Sequence, residues 1–129
     1  AKDTKRFMLV QRANKKHQGQ WGIVGGKPEG KELPIEALKR EIKEEVGDTP
    51  KIQKFIPLEM FQSTDQKFFF NTYVCVIDHE FVPKLNGEHS DYCWIVMGAW
   101  PKTLHSGLLK RVQSKTIKSK LKAILDIIV

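Results

Sequence analysis

Two spacings of apolar residues along the chain predict two kinds of secondary structure. Short apolar runs predict strands over residues 7–12, 52–61, 68–77 and 92–97, with a brief further stretch over 21–24. The run at 68–77 is almost continuously apolar, so we expect both faces of that strand to be covered. Pro57 interrupts the run at 52–61, which indicates a bent or edge strand.

Helical spacing appears in two parts of the chain. The first apolar stripe consists of Ile35, Leu38, Ile42 and Val46. Pro34 suits the first turn of this helix and Gly47 suits the residue just past its end. From Leu104 onwards helical spacing returns, and it predicts one long terminal helix, or two, packed on a sheet.

The connecting segments are polar. Residues 83–91 are expected to form a loop with a turn at Asn86 and Gly87. Residues 2–5 are also expected to form a turn, which implies a strand before it. The order of elements predicts a single α/β domain over residues 1–129, an α/β/α sandwich with a mixed β-sheet between helical layers.

The charge of the chain is concentrated near its end. The 129 residues carry 22 Lys and Arg against 15 Asp and Glu, a net charge of +7. Residues 101–129 supply seven of those cations against one acid, so they account for +6. This basic segment keeps RNA binding open as an alternative, although lysines on the outer face of an amphipathic helix commonly serve solvation.

Other bulk features point to a reducing setting without a membrane. We expect Cys75 and Cys93, which lie in apolar runs, to be buried free thiols. The sequence has neither an apolar run of transmembrane length nor a signal-peptide pattern at its start. A cytoplasmic location is therefore the expectation.

Three carboxylates share one face of the first helix. Glu41, Glu44 and Glu45 are related by three and four residues, so their side chains are neighbours and repel one another. Such a group is either a solvated acidic face or the binding site of a cation. Arg40 is one candidate for that cation, and a hard divalent ion such as Mg²⁺ is another.

The spacing around these carboxylates favours the metal site. The pattern runs Gly26, five residues, Glu32, seven residues, Arg40-Glu41-Ile42, one residue, Glu44-Glu45, one residue, Gly47. A chance match of its seven fixed residues has a probability on the order of 10⁻⁹ per register. The pattern resembles the Nudix box of the Nudix hydrolase superfamily. Asp48, where the family has an aliphatic residue, and Val24, where it has proline, depart from it.

The resemblance implies hydrolysis of the diphosphate bond in a nucleoside diphosphate linked to another group. It implies one to three ions of Mg²⁺ or Mn²⁺, with water attacking phosphorus. The metal ligands it implies are the carbonyl of Gly26 and the side chains of Glu41, Glu44 and Glu45. Arg40 would orient the glutamates by pairing with carboxylates such as Glu32 or Glu41.

Residues outside the helix complete the expected site. The general base is either a box glutamate, Glu44 or Glu45, or an acidic residue from a distant loop, for which Glu88 is the candidate. Gly25 would allow close approach of substrate to the backbone. Arg12 is expected to contact phosphate or to form a structural salt bridge, and Trp21 to pack or to stack on a base.

Other residues and other functions have weaker support. We interpret His89 and His105 as surface or packing histidines. Three functions stay open: a hydrolase of small nucleotides such as ADP-ribose, dinucleoside polyphosphates or nucleotide sugars, a hydrolase of nucleoside triphosphates or RNA 5′ ends, and a non-catalytic regulator that binds nucleotide or RNA. Family members have an apolar strand before the turn at residues 2–5, so we expect such a strand to be missing from this sequence or supplied otherwise, and a homodimer is compatible with that.

Overall fold

The structure is a computed structural model in which residues 1–67 and 69–128 are described. Phe68, the first residue of one predicted strand, lies outside the described residues. The elements in chain order are β1 (Phe7–Arg12), β2 (Trp21–Gly22), α1 (Pro34–Val46), β3 (Lys54–Gln62), β4 (Phe69–Val76), β5 (His89–Ile95), α2 (Ser106–Gln113) and α3 (Lys115–Ile127). Strands and helices form the α/β sandwich that the sequence predicts.

The strands pair in two groups. One sheet has the order β2-β1-β5 and the other consists of β3 and β4, and the pairs within both groups are antiparallel. A parallel bridge joins Trp21 to Leu104. In the β1–β5 pair the register shifts between Gln11 and Arg12, and Arg12 lies opposite His89. This bulge brings the start of β5 beside the end of β1.

Helix α1 begins and ends where the sequence predicts. Pro34 occupies its first turn, and the N–H of Leu33 donates a hydrogen bond of 3.2 Å to the carboxylate of Glu36. Gly47 follows the helix with a φ of 77°, a backbone conformation that favours glycine. A Cβ atom at Gly47 would lie 3.0 Å from Cβ of Lys84, so the close packing of that loop also requires glycine.

Several predicted boundaries and environments are corrected. Strand β5 begins at His89, so the polar loop ends before residue 91. The terminal segment forms two helices, and Ser114 separates them because its side chain caps α3 by accepting from the N–H of Ile117. The bend at Pro57 is confirmed by a register shift between Pro57 and Glu59.

The expectation that both faces of β4 are covered is wrong. Within β4 only Thr72 and Val76 are buried, and Phe69 is 56% exposed. Two separate apolar clusters form the core. Buried residues of β3 and α3 make one cluster, and Leu9 of β1 with buried residues of α2 makes the other.

A cavity of about 700 Å³ lies between these clusters. Its lining includes Leu38 and Ile42 of α1, Val74 of β4 and Ala1. Close-packed interiors have few voids larger than a water molecule, so this volume is unusual for a small domain. The predicted apolar stripe of α1 faces the cavity, and Leu38 and Ile42 are therefore only half-buried.

Both cysteines are free thiols, as predicted, and both are half-buried. Burial raises the pKa of Cys75 to about 11, which keeps the thiol protonated and unreactive. The structure contains no helix, among its described residues, that is long and apolar enough to cross a membrane. On α3 the lysines lie outward while Ile117, Leu121 and Ile124 are buried, the arrangement of an ordinary amphipathic helix.

Candidate active site

Arg40 connects the carboxylates of the motif. Its guanidinium pairs with Glu32 through two hydrogen bonds of 2.9 and 3.1 Å and donates a third of 2.8 Å to Glu41. It also reaches Glu44 at 3.4 Å and the carbonyl of Lys27 at 3.1 Å. The hydrogen bonds from Arg40 lower the pKa of Glu32, which stays ionised. Arg40 thus holds the glycine loop against the acidic face of α1, through the two carboxylates named from the sequence.

Glu45 is fully buried at the end of α1. One carboxylate oxygen, Oε2, accepts a hydrogen bond of 3.2 Å from the N–H of Gly25. The other oxygen, Oε1, has no hydrogen-bond partner within the described part of the chain. The pKa of Glu45 is raised to about 8, chiefly by burial. A hydrogen bond with Glu41, charge repulsion from Glu41 and the charge of Glu88 raise it further. At neutral pH such a carboxyl group is mostly protonated, and a nearby cation would favour its ionised form.

Glu41 lies against the backbone of the glycine loop. A Cβ atom placed on Gly26 would come within 2.4 Å of the carboxyl carbon and of Oε1 of Glu41, which no real side chain tolerates. Glycine at position 26 therefore allows the loop to approach the carboxylate directly. The side chain of Glu41 is 14% exposed. Gly26 and Glu41, two of the predicted metal ligands, are brought together.

Glu44 and Glu88 form the outer side of the site. The side chain of Glu44 is 55% exposed and lies 3.4 Å from the guanidinium of Arg40. Glu88 is also exposed and directly precedes β5, as the sequence predicts. Its carbonyl accepts a hydrogen bond of 2.9 Å from the N–H of Ala13, which fixes the loop beside the end of β1. Glu88, Glu45 and His89 each place one polar atom within 4.8 Å of the others.

His89 is a residue whose burial beside Glu45 the sequence interpretation missed. It is 4% exposed, its Nε2 atom lies 3.4 Å from Oε1 of Glu45, and neither ring nitrogen has a hydrogen-bond partner among the described residues. The interpretation of His89 as a surface or packing histidine with satisfied hydrogen bonds is therefore wrong. The available signal was its position after Glu88 at the start of a strand. The burial itself depends on the bulge in the β1–β5 pair.

Arg12 lies at the same bulge. Its NH2 group reaches the carbonyl of Ile23 at 3.5 Å, and its Nε atom is buried without a partner in the described chain. The structural salt bridge considered from the sequence does not form with any carboxylate of the described residues. Its charge contributes to a lowered pKa of His89, second to burial. Arg12 therefore has donors left for an anion.

Trp21 and Gly25 have structural contacts. Trp21 packs on the cluster of Leu9, Leu108 and Val112, and its backbone bonds to Thr103 and His105. Packing is thus the role that its contacts support, and base stacking stays a prediction. Gly25 donates its N–H to Glu45, and close approach of a substrate to its backbone stays a prediction.

The donor set fits a divalent ion. Glu45 offers a buried oxygen that has no partner in residues 1–67 and 69–128, and Glu41 and Glu44 lie on the same helix face within reach of Arg40. Hard cations prefer such carboxylate oxygens, and a positive charge would offset the repulsion that raises the pKa of Glu45. Glu41, Glu44, Glu45 and the carbonyl of Gly26 are the groups that would hold it.

Comparison with known proteins identifies the family. Residues 1–111 match the NUDIX domain, so the chain belongs to the Nudix family. The nucleoside triphosphatase NudI of Escherichia coli O17:K52:H18 (strain UMN026 / ExPEC) is 32% identical over 88 residues, 60% of this chain and 62% of that protein. The chain therefore matches less than two thirds of the length of these curated relatives.

Solved structures share the fold. A MutT NUDIX hydrolase from Burkholderia pseudomallei superposes with a TM-score of 0.69 at 21% identity, covering 87% of this chain and 89% of that one. A binary complex of the Ap4A hydrolase of C. elegans gives a TM-score of 0.69 at 20% identity, covering 94% of this chain and 87% of that one. At these identities the similarity establishes the Nudix fold.

Proposed function

We propose that this protein hydrolyses the diphosphate bond of a nucleoside diphosphate linked to another group, with Mg²⁺ or Mn²⁺ as the cofactor. The observation that carries the proposal is the buried carboxylate of Glu45, one oxygen of which lacks a partner among the described residues and which lies beside Glu41 and the glycine loop. Burying such a carboxylate on a helix face with a purely structural role costs free energy. On a metal-binding face the ion offsets that cost, because it supplies the missing positive charge.

Each residue of the motif has a role in this proposal. The ion or ions are held by Glu41, Glu44, Glu45 and the carbonyl of Gly26. Arg40 is anchored by its two hydrogen bonds to Glu32 and keeps Glu41 in place with a third. When bound, the metal offsets the charge of the diphosphate and lowers the pKa of a bound water. Arg12 is the cation available for a substrate phosphate, because its guanidinium lacks a carboxylate partner in the described chain.

Two groups can serve as the general base. Glu88 is exposed and lies close to Glu45 and His89, which suits a residue that takes a proton from water at the edge of the site. Glu44 is the exposed box glutamate and is the alternative. Replacing Glu88 by Gln separates the two, since a base is needed less as the pH rises. A rate loss that is larger at neutral than at alkaline pH supports Glu88.

A second candidate function is hydrolysis of nucleoside triphosphates. The similarity to the nucleoside triphosphatase NudI favours it, although this chain matches 62% of that protein. RNA 5′ ends would be a related substrate, and the outward lysines of α3 are the residues that would contact RNA. A non-catalytic regulator has less support, because a binding protein gains nothing from a buried repulsive carboxylate cluster.

A product analysis tests these candidates. The protein is incubated with Mg²⁺ and a panel of nucleoside triphosphates, dinucleoside polyphosphates, ADP-ribose and nucleotide sugars, and the products are identified by mass. A nucleoside monophosphate with a second phosphate ester supports the leading proposal. Inorganic diphosphate supports the second candidate, and intact substrates throughout contradict both. Loss of turnover with a chelator and recovery with Mg²⁺ controls for contaminating enzymes that need no metal.

A further inference from the structure

Three basic side chains, Arg12, His17 and His105, meet beside β2. The N–H of His105 donates a hydrogen bond of 2.8 Å to the carbonyl of Trp21, which holds His105 against this strand. His17 comes from the turn between β1 and β2, where its carbonyl accepts a 3.0 Å hydrogen bond from the N–H of Gln20. The rings of His17 and His105 lie 4.6 Å apart, centroid to centroid, at an interplanar angle of 68°. Backbone hydrogen bonds therefore hold both histidines in this basic cluster.

Gly22 leaves a gap between two members of the basic cluster. A Cβ atom at position 22 would lie 3.5 Å from Nε of Arg12 and 3.6 Å from Cβ of His105. These are ordinary van der Waals distances, so the gap would accept a methyl group without a clash. Arg12, Gly22 and His105 line the same cavity as Gly25 and Gly26 of the metal site. A ligand held at the metal site thus has continuous space towards the basic cluster.

The basic cluster offers donors to an anion. Nε of Arg12 is buried and has no hydrogen-bond partner in the part of the chain that the structure describes. Nδ1 of His105 accepts a 3.2 Å hydrogen bond from the N–H of Gly107, so a neutral His105 carries its proton on Nε2, as a donor. The pKa of His105 is lowered by burial first and then by neighbouring groups that are all bases. These groups are His17, Arg12 and Arg111.

We propose that Arg12, His17 and His105 bind a phosphate group of the substrate that lies beyond the two phosphates held at the metal site. Guanidinium and imidazole N–H groups suit phosphate oxygens, because hydrogen bonds to an anion are stronger than neutral ones. Arg111 stays outside this phosphate subsite, since it is paired with Glu59.

The inference rests on the proposed function and narrows its substrate class. Nucleoside triphosphates and dinucleoside polyphosphates with three or more phosphates can occupy the metal site and the phosphate subsite together. ADP-ribose and nucleotide sugars have two phosphates, so they would leave the phosphate subsite empty. Arg12 connects the two sites, because it lies opposite His89 in the β1–β5 pair and beside the gap at Gly22.

The first test follows the histidine rings by NMR. The sample is the full chain loaded with Mg²⁺, and the probe is the methylene analogue of inorganic tripolyphosphate, whose P–C bonds water does not cleave. We expect the ring signals of His17 and His105 to move saturably. The signal of His79 should stay, since this side chain is exposed and its Nδ1 atom lies 2.9 Å from the carbonyl of Glu80. Unmoved signals of His17 and His105 in excess probe overturn the inference.

Two variants that keep the net charge separate the phosphate subsite from general attraction to a chain of charge +7. His105→Asn keeps an acceptor for the N–H of Gly107 at the start of α2 and loses the Nε2 donor. Gly22→Ala fills the gap with a methyl group and keeps every donor. Calorimetry compares the methylene analogues of tripolyphosphate and diphosphate in the presence of Mg²⁺.

In both variants we expect binding of the tripolyphosphate analogue to weaken by about tenfold, and that of the diphosphate analogue by less than about threefold. Equal weakening of both analogues, or no weakening of either, overturns the inference. Hydrolysis of ADP-ribose by a protein that fails the NMR test overturns the phosphate subsite and leaves the proposed function standing. A protein that passes both binding tests and hydrolyses none of the nucleotides overturns the proposed function and leaves the phosphate subsite standing.

Discussion

The backbone N–H of Gly25 donates a 3.2 Å hydrogen bond to Oε2 of Glu45, twenty residues further along the chain. The contact orients one oxygen of a fully buried carboxylate and leaves the other, Oε1, facing His89. The glycine loop and the acidic helix are thus joined by a direct hydrogen bond that orients the Glu45 carboxylate.

The bidentate pair of hydrogen bonds between Arg40 and Glu32 is expected to position the metal ligands. Arg40→Lys keeps the charge but loses the planar pair of hydrogen bonds, so Glu41 is no longer fixed. We expect Mg²⁺ affinity to fall by about tenfold or more. Arg6→Lys is the matched control, since Arg6 makes a similar fork with Glu80, with two bonds of 2.6 Å. Isothermal titration that shows equal loss in both variants would refute a specific role for Arg40.

Close approach of the backbone at Gly26 is expected to be essential. Gly26→Ala places a Cβ atom 2.4 Å from the carboxyl carbon of Glu41, so the carboxylate must move away from the loop. Mg²⁺ affinity, measured by titration calorimetry, should fall by about tenfold or more. Gly25→Ala is the control, because its Cβ would meet no atom within 4 Å and the N–H is retained. An unchanged affinity in Gly26→Ala would contradict the assigned geometry.

Without a metal ion, ionisation of Glu45 is expected to destabilise the protein. The carboxyl has an ordinary pKa of 4.5, which describes the unfolded chain, and a raised pKa of about 8 in the fold. Between these values the native state binds more protons than the unfolded state, so the free energy of unfolding falls as pH rises through the window. The loss is on the order of a few kcal/mol at most.

Urea unfolding in the presence of a chelator measures this effect. Wild type should lose stability between about pH 5.5 and pH 8, and Glu45→Gln should lose clearly less over the same window. Mg²⁺ should restore the wild type at the upper pH, because it binds the ionised native state. Parallel pH dependences in the two proteins would show that Glu45 ionises normally.

The cavity is expected to accept an added strand. It is lined by apolar residues of α1 and β4, and β4 has β3 as its strand neighbour on one side alone within the described chain. The N–H of Lys2 bonds to the carbonyl of Ile77 at 2.9 Å, so chain placed before Ala1 would enter beside the end of β4. The strand expected before the turn at residues 2–5 stays a prediction.

An extension experiment tests that position. An alternating apolar segment of roughly eight residues is added before Ala1. Burial of its apolar face should raise the free energy of unfolding and remove binding of a hydrophobic dye. The control extension carries a central proline, which cannot donate to a strand ladder. Equal stability of both extended proteins would show that the cavity does not take a strand.

Local features of the site could be predicted from sequence, and contacts between distant segments could not. Pro34 and Gly47 fix the ends of α1, and helical geometry alone places Glu41 and Glu45 on one face. The burial of His89 depends on a bulge between two strands far apart in sequence. The prediction that both faces of β4 are covered was wrong. Whether a strand is covered depends on the elements that pack beside it and does not follow from its own apolar residues.

The most direct test of the central claim compares three Glu→Gln variants on the same helix. Glu44→Gln and Glu45→Gln are each expected to lower Mg²⁺-dependent kcat by about 100-fold or more, with unchanged circular dichroism. Glu36→Gln should retain wild-type turnover, since Gln also accepts the hydrogen bond from Leu33 at the helix start. Wild-type turnover in both Glu44→Gln and Glu45→Gln would remove the acidic helix from the mechanism.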